Sequence, residues 1–162
     1  MAKLMFGLVL VLGIIVSQGA TASAQRSVVG NWKTGGLGMI NEVNTVTGQT
    51  KNNRGNMFSY TFASDGTYTF VGYMESTMFG CTTSLFNEIN GRYMVDGTTI
   101  FLNPARDLWR NMYSCFPNSN KSQTKTPTKK SLEFSFKTDQ YGKEFICLSD
   151  AGVETCYRRE KE

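Results

Sequence analysis

Histidine is absent from all 162 residues. That gap removes Ser-His-Asp and Cys-His nucleophilic catalysis together with the His-containing zinc sites. No C-x-x-C pair occurs among the four cysteines, which argues against a zinc site of thiolates alone, and no metal or other cofactor is expected. Charge is scarce, at 19%, while aromatics reach 12%. A chain this apolar and aromatic is not disordered and must bury a core. No stretch of about 18 apolar residues is present to cross a hydrocarbon layer that needs about 20, so stable membrane insertion is not expected. No segment shows a sustained, capped 3.6-residue apolar stripe either. Only Pro104 to Asn111 reads as about two helical turns.

What is present begins with residues 1–24, which have the three parts of a secretory signal: Lys3, an apolar run from Leu4 to Val16, and a small-residue region ending in Ala22-Ser23-Ala24. An A-x-A site predicts cleavage after Ala24 and a secreted or periplasmic product. The remaining 25–162 fit a single domain. The net charge of +4 falls by one with Lys3. The only dense basic stretch, Lys121, Lys125, Lys129 and Lys130, sits among Ser, Thr, Asn, Gln and Pro, so residues 117–130 read as a solvated polar loop and not as a nucleic-acid surface.

Cys81, Cys115, Cys147 and Cys156 all lie in the exported part, where an oxidising compartment favours disulfides and three pairings are open. Two short strands around Asp150-Ala151-Gly152, with a two-residue turn at Ala151-Gly152, place Cys147 opposite Cys156, close enough to bond. Cys81 with Cys115 is then the second bridge.

Period-two alternation marks the strands. Phe58, Tyr60 and Phe62 alternate with Ser59 and Thr61, and Leu132, Phe134 and Phe136 alternate with Glu133, Ser135 and Lys137. Turn signals separate such runs at Ser64-Asp65-Gly66, Asp96-Gly97, Asp139 to Gly142 and Asp150 to Gly152. At least seven strands follow, near 57–63, 67–74, 91–95, 98–102, 131–138, 143–149 and 153–159. Residues 35–56, rich in Gly, Asn and Thr, read as a strand with a loop. An antiparallel meander of this size hides its edges by closing into a barrel or by folding into a β-sandwich.

Three motifs carry a resemblance: Gly30-Asn31-Trp32, the hairpin Tyr60 to Phe70 around Asp65-Gly66, and Gly91-Arg92-Tyr93 with Asp96-Gly97. Over residues 28–102 the chain resembles small secreted lipocalin-like domains. The resemblance implies an antiparallel barrel whose Trp32 plugs one end, with a basic residue after the last strand, Arg158 or its neighbour Arg159, covering the ring. Inward aromatics, Trp32, Phe62, Tyr68, Phe70 and Tyr93, are the candidate ligand-binding residues.

Other chemistry is weakly signalled. Ser122-Gln-Thr-Lys125 matches S-x-x-K, which needs a helix that this loop composition does not supply. Glu75 and Glu88 flank an aromatic stretch with nothing to fix their spacing. Asn120-Lys121-Ser122 is a glycosylation acceptor only in a eukaryotic source. The expectation is a secreted, non-enzymatic binding or protein-interaction barrel with an unidentified protein partner. The alternative is a carrier holding a small apolar ligand inside.

Overall fold

Side chains that alternate between apolar and polar form strands, because successive residues of extended chain face opposite ways. The computed structural model describes residues 27–39, 42–43, 50–51 and 54–161, so the expected secretory signal lies outside the described residues. The strands are β1 (Gly30–Met39), β2 (Glu42–Val43), β3 (Thr50–Lys51), β4 (Arg54–Phe62), β5 (Thr67–Met78), β6 (Cys81–Asp96), β7 (Thr99–Tyr113), β8 (Lys121–Lys125), β9 (Lys130–Thr138), β10 (Glu144–Asp150) and β11 (Val153–Arg159), with one 3-10 turn at Pro117–Ser119. β2 and β3 pair with each other. The other nine make one antiparallel sheet in the order β6-β5-β4-β1-β11-β10-β9-β7-β8, and β6 also pairs with β7. Eight strands therefore close a ring of hydrogen-bonded pairings. β8 lies outside that ring, along the far half of β7.

Two expectations are corrected here. Pro104 to Asn111 is not helical but lies within β7, which pairs with β6 along its whole length. Gly91 opposes Pro104 while Asn90 opposes Arg106, so Ala105 is an extra residue in β7. Such a bulge accommodates a proline in a strand. It also coincides with the change of partner on the other edge, from β9 (Leu102 with Lys130) to β8 (Asp107 with Lys125). Gly91 is required at this point: a Cβ there would collide with the Asn103 carbonyl oxygen and stand 2.6 Å from Pro104 Cα. The second correction concerns 117–130, read as a loop. Its residues 121–125 form β8, fully exposed and supplying hydrogen bonds to an edge of β7 that would otherwise be bare.

The core lies inside the ring. Trp32, Phe62, Ile100 and Ile146 are almost wholly buried, joined by Tyr68, Leu102, Leu132, Leu148 and Tyr157. Each such side chain contributes roughly 1.5–3 kcal/mol when taken out of water. Both disulfides pair as the sequence implied: Cys81 with Cys115, and Cys147 with its register partner Cys156. The turn between the latter two is Ala151-Gly152, both at positive φ (49° and 83°), the conformation of tight two-residue hairpins.

Candidate binding site

One end of the ring is filled. Trp32 Nε1 donates to the Val28 carbonyl at 2.7 Å, and the indole packs against Phe136 at a centroid distance of 5.9 Å. The guanidinium over it belongs to Arg159, with Cζ 4.5 Å from the ring centroid. Arg159 Nη2 also donates to the Ser27 carbonyl at 3.0 Å, and Nε lies 3.1 Å from a Glu144 carboxylate oxygen. Of the two arginines named from the sequence for this cover, Arg159 takes it, and Arg158 pairs with Glu160 at 2.7 Å. Strand parity explains the choice: in β11 Tyr157 enters the core, so Arg158 turns outward and Arg159 turns back to Trp32. Phe62 and Tyr93 pack nearby, ring to ring at 5.0 Å, and the Tyr93 hydroxyl donates to the Ala63 carbonyl at 2.8 Å.

Further from Trp32 along the same strands the interior opens. A cavity of about 290 Å³ is walled by Tyr68, Phe70, Ile89, Leu102 and Trp109, with Asn87, Asp107 and Lys130 as polar members. A second, wider recess of about 510 Å³ shares Tyr60 and Phe70 and is walled by Phe58, Leu148 and Tyr157. Of the five aromatics proposed from the sequence, Tyr68 and Phe70 line the cavity. Trp32, Phe62 and Tyr93 do not line it: Phe62 is covered by the rings of Tyr68 and Tyr93, and Trp32 is covered by Phe136 and Arg159.

The polar groups are few and placed. Asn87 is buried, and its Nδ2 donates both to Asp107 Oδ1 at 2.7 Å and to the Leu108 carbonyl at 3.1 Å. These bonds hold the carboxylate at the wall. Lys130 is engaged with Asp150 at 2.8 Å. Burial raises the Tyr60 hydroxyl far above its ordinary pKa, with Tyr157 adding to the shift. Burial, then the Asp107 charge, pushes Tyr68 up to about 12. Both stay protonated at neutral pH, and neither has a hydrogen-bond partner among the described residues. As protonated hydroxyls lining the cavity, each can donate to a ligand. Lys125 Nζ sits 3.6 Å from the Trp109 ring centroid, and Trp109 Nε1 is buried without a partner.

Ser122 and Lys125, three apart in the extended β8, face opposite ways and do not form the helical S-x-x-K arrangement. Glu75 opposes Ser84 while Glu88 opposes Val71, four register positions along the β5–β6 pair. The sulfurs of Cys147 and Cys156 lie beside Glu154 but are bonded to each other and offer no thiolate. Asp107 and Trp109 were missed from the sequence because Pro104 to Asn111 has apolar residues at helical spacing, and Asn87 because only its pairing with Trp109 brings it to the site. Extended parity there puts Asp107 and Trp109 on one face and Leu108 on the other, the one signal that would have found them.

Compared with protein-family models, with curated proteins and with solved structures, the chain matches none.

Proposed function

We propose that the chain is an exported binding protein whose ring is a lipocalin-like β-barrel, plugged by Trp32 and Arg159 at one end and receiving a small amphipathic ligand at the other. The ring of eight antiparallel strands in meander order supports the barrel, as does Gly30-Asn31-Trp32 at the start of β1. Two disulfides fit an oxidising, extracellular compartment.

The observation that carries the reading is the cavity of about 290 Å³. Pockets that bury a small ligand begin near this volume and have mostly apolar walls with a few fixed polar groups. Such a cavity favours the carrier reading over a protein-interaction barrel, which needs no open interior. The ligand is of modest size, with an apolar body against Phe70, Ile89 and Leu102 and a polar group toward Asp107 and the tyrosine hydroxyls.

The test is a thermal-shift and tryptophan-fluorescence titration against fatty acids, retinoids and aromatic metabolites, with native mass spectrometry of the protein as purified. A ligand at a hundred times its Kd stabilises by about 2.7 kcal/mol. Ile89→Trp, which fills the cavity, should abolish that shift and leave the fold intact. A protein that carries no small molecule and responds to none of the panel would contradict the proposal.

A further inference from the structure

The most exposed apolar side chain, Phe79, shares a corner with two others, Met78 and Phe116. β5 and β6 are joined by a two-residue turn, Phe79-Gly80, between the paired residues Met78 and Cys81. Phe79 is 97% exposed and Met78 63%. Across the tip, the Cys81–Cys115 disulfide, with its Cα atoms 5.4 Å apart, anchors a second exposed aromatic, Phe116, at 68%. Two residues on one side of the bridge and one on the other, Phe79 and Phe116 are thus covalently held at the same corner. Phe79 also sits at φ 50°, a left-handed conformation that bulky residues avoid and that Asn or Gly adopts freely.

The charge around this corner is predominantly basic, with Glu75, the register partner of Ser84 and three residues before Met78, as the acid nearest the tip. Between Glu75 and Glu88 there is no charged residue, and from Leu108 to Leu132 Arg110, Lys121, Lys125, Lys129 and Lys130 face no acidic residue in the sequence. Lys130 is paired with Asp150. The other four have no carboxylate partner among the described residues. Arg110 and Lys125 lie over the rings of Phe86 and Trp109, and β8, which carries Lys121 and Lys125, is exposed along its length.

The corner stands beyond the cavity. Trp109 pairs with Asn87 at the cavity wall, and Tyr113 pairs with Thr83 four register steps on, about 13 Å further at roughly 3.3 Å per residue. We infer that this tip is a docking surface for an anionic lipid layer, with Phe79, Met78 and Phe116 entering the interface and the basic residues of β7, β8 and the segment after it meeting the head groups. Aromatic and Met side chains partition into such interfaces, and each Lys or Arg near an anionic surface strengthens binding about fivefold, an attraction that salt weakens. A second protein offers a poorer match, because Arg110, Lys121, Lys125 and Lys129, without ion-pair partners among the described residues, outnumber Glu75 and suit a uniformly negative plane. The docking is peripheral, and it presents the open end of the ring to the lipid.

The experiment is sedimentation of the disulfide-bonded protein with vesicles of phosphatidylcholine alone and with vesicles of phosphatidylcholine mixed with anionic phosphatidylglycerol. Binding is expected only to the anionic vesicles, weakening at least tenfold between about 50 and 300 mM salt. Phe79→Ser with Phe116→Ser should lower it at least tenfold, whereas Tyr141→Ser, an exposed aromatic at the opposite end, should leave it unchanged. In Phe79→Trp, the indole emission should shift to the blue on binding. Equal binding to both vesicle types, no binding, or binding indifferent to the double substitution overturns the inference. So does a dimer in size-exclusion chromatography that the double substitution dissolves. Because none of these readouts involves the cavity, failure here leaves the ligand-binding reading untouched, and the reverse also holds.

Discussion

Arg159 and Trp32 are register partners across the junction of β1 and β11, and the guanidinium of one lies over the indole of the other. A single pair thus joins the two ends of the described chain and covers the core from solvent. Trp32→Ala should cost about 3–5 kcal/mol in denaturant titration. Arg159→Met removes a cation–π contact and the bond to Ser27, for about 1–2 kcal/mol. Arg158→Met, with only an exposed pair to Glu160 to lose, should stay within about 0.5 kcal/mol. An equal loss for the two arginines would place the cover elsewhere.

The two disulfides should differ in weight. Sequence separations of 34 and 9 give roughly 3.8 and 2.7 kcal/mol in the chain-entropy model. Cys81→Ser/Cys115→Ser is therefore expected to lower stability by about 1 kcal/mol more than Cys147→Ser/Cys156→Ser. Peptide mapping without reduction checks the pairing itself, and a free thiol in the native protein would refute it.

Alkaline pH should unfold the protein. Tyr68 and Tyr157 are held at about 12 by burial, Tyr60 still higher, whereas an unfolded tyrosine ionises near 10. Above that value the unfolded chain gives up protons that the native state keeps. The contribution is fully present below pH 10 and is lost as pH rises toward 12. Absorbance at 295 nm should show these tyrosines ionising together with unfolding, and Tyr68→Phe should flatten the loss. Smooth titration near pH 10 in the folded protein would show that they are not buried.

Phe79 and Ala151 are non-glycine residues at positive φ (50° and 49°). Asn relieves such positions, so Ala151→Asn and Phe79→Asn should each raise stability by up to about 1 kcal/mol, read as an upward shift in Tm. Only Phe79→Asn should also reduce binding to anionic vesicles.

The legible part of the fold was the part where local signals and tertiary pairing agree. The alternation at Phe58, Tyr60 and Phe62, the turn at Asp96-Gly97, and the opposition of Cys147 and Cys156 all depend on residues close in sequence. β8 was illegible because Lys-Ser-Gln-Thr-Lys has no apolar residue to alternate; it is a strand only because β7 presents an edge. The 104–111 stretch of β7 was misread for the opposite reason, a local helical spacing overruled by partners on both sides. The cavity was half legible: Tyr68 and Phe70 stand in plain alternation, but Asn87, Asp107 and Trp109 join them only through the register of β6 with the bulged β7.

Every junction in the ring but one is made by strands near one another along the chain. The exception, β1 with β11, must wait for the last strand, and it carries the largest loop-closure cost in the molecule. A chain delivered from its N-terminus therefore holds the edge of β1 unpaired until Arg159 emerges. During that interval the sheet is an open template for other strands. The residues after Cys156 thus act as a clasp, and the speed with which they reach Trp32 sets how long the nascent protein is vulnerable to aggregation.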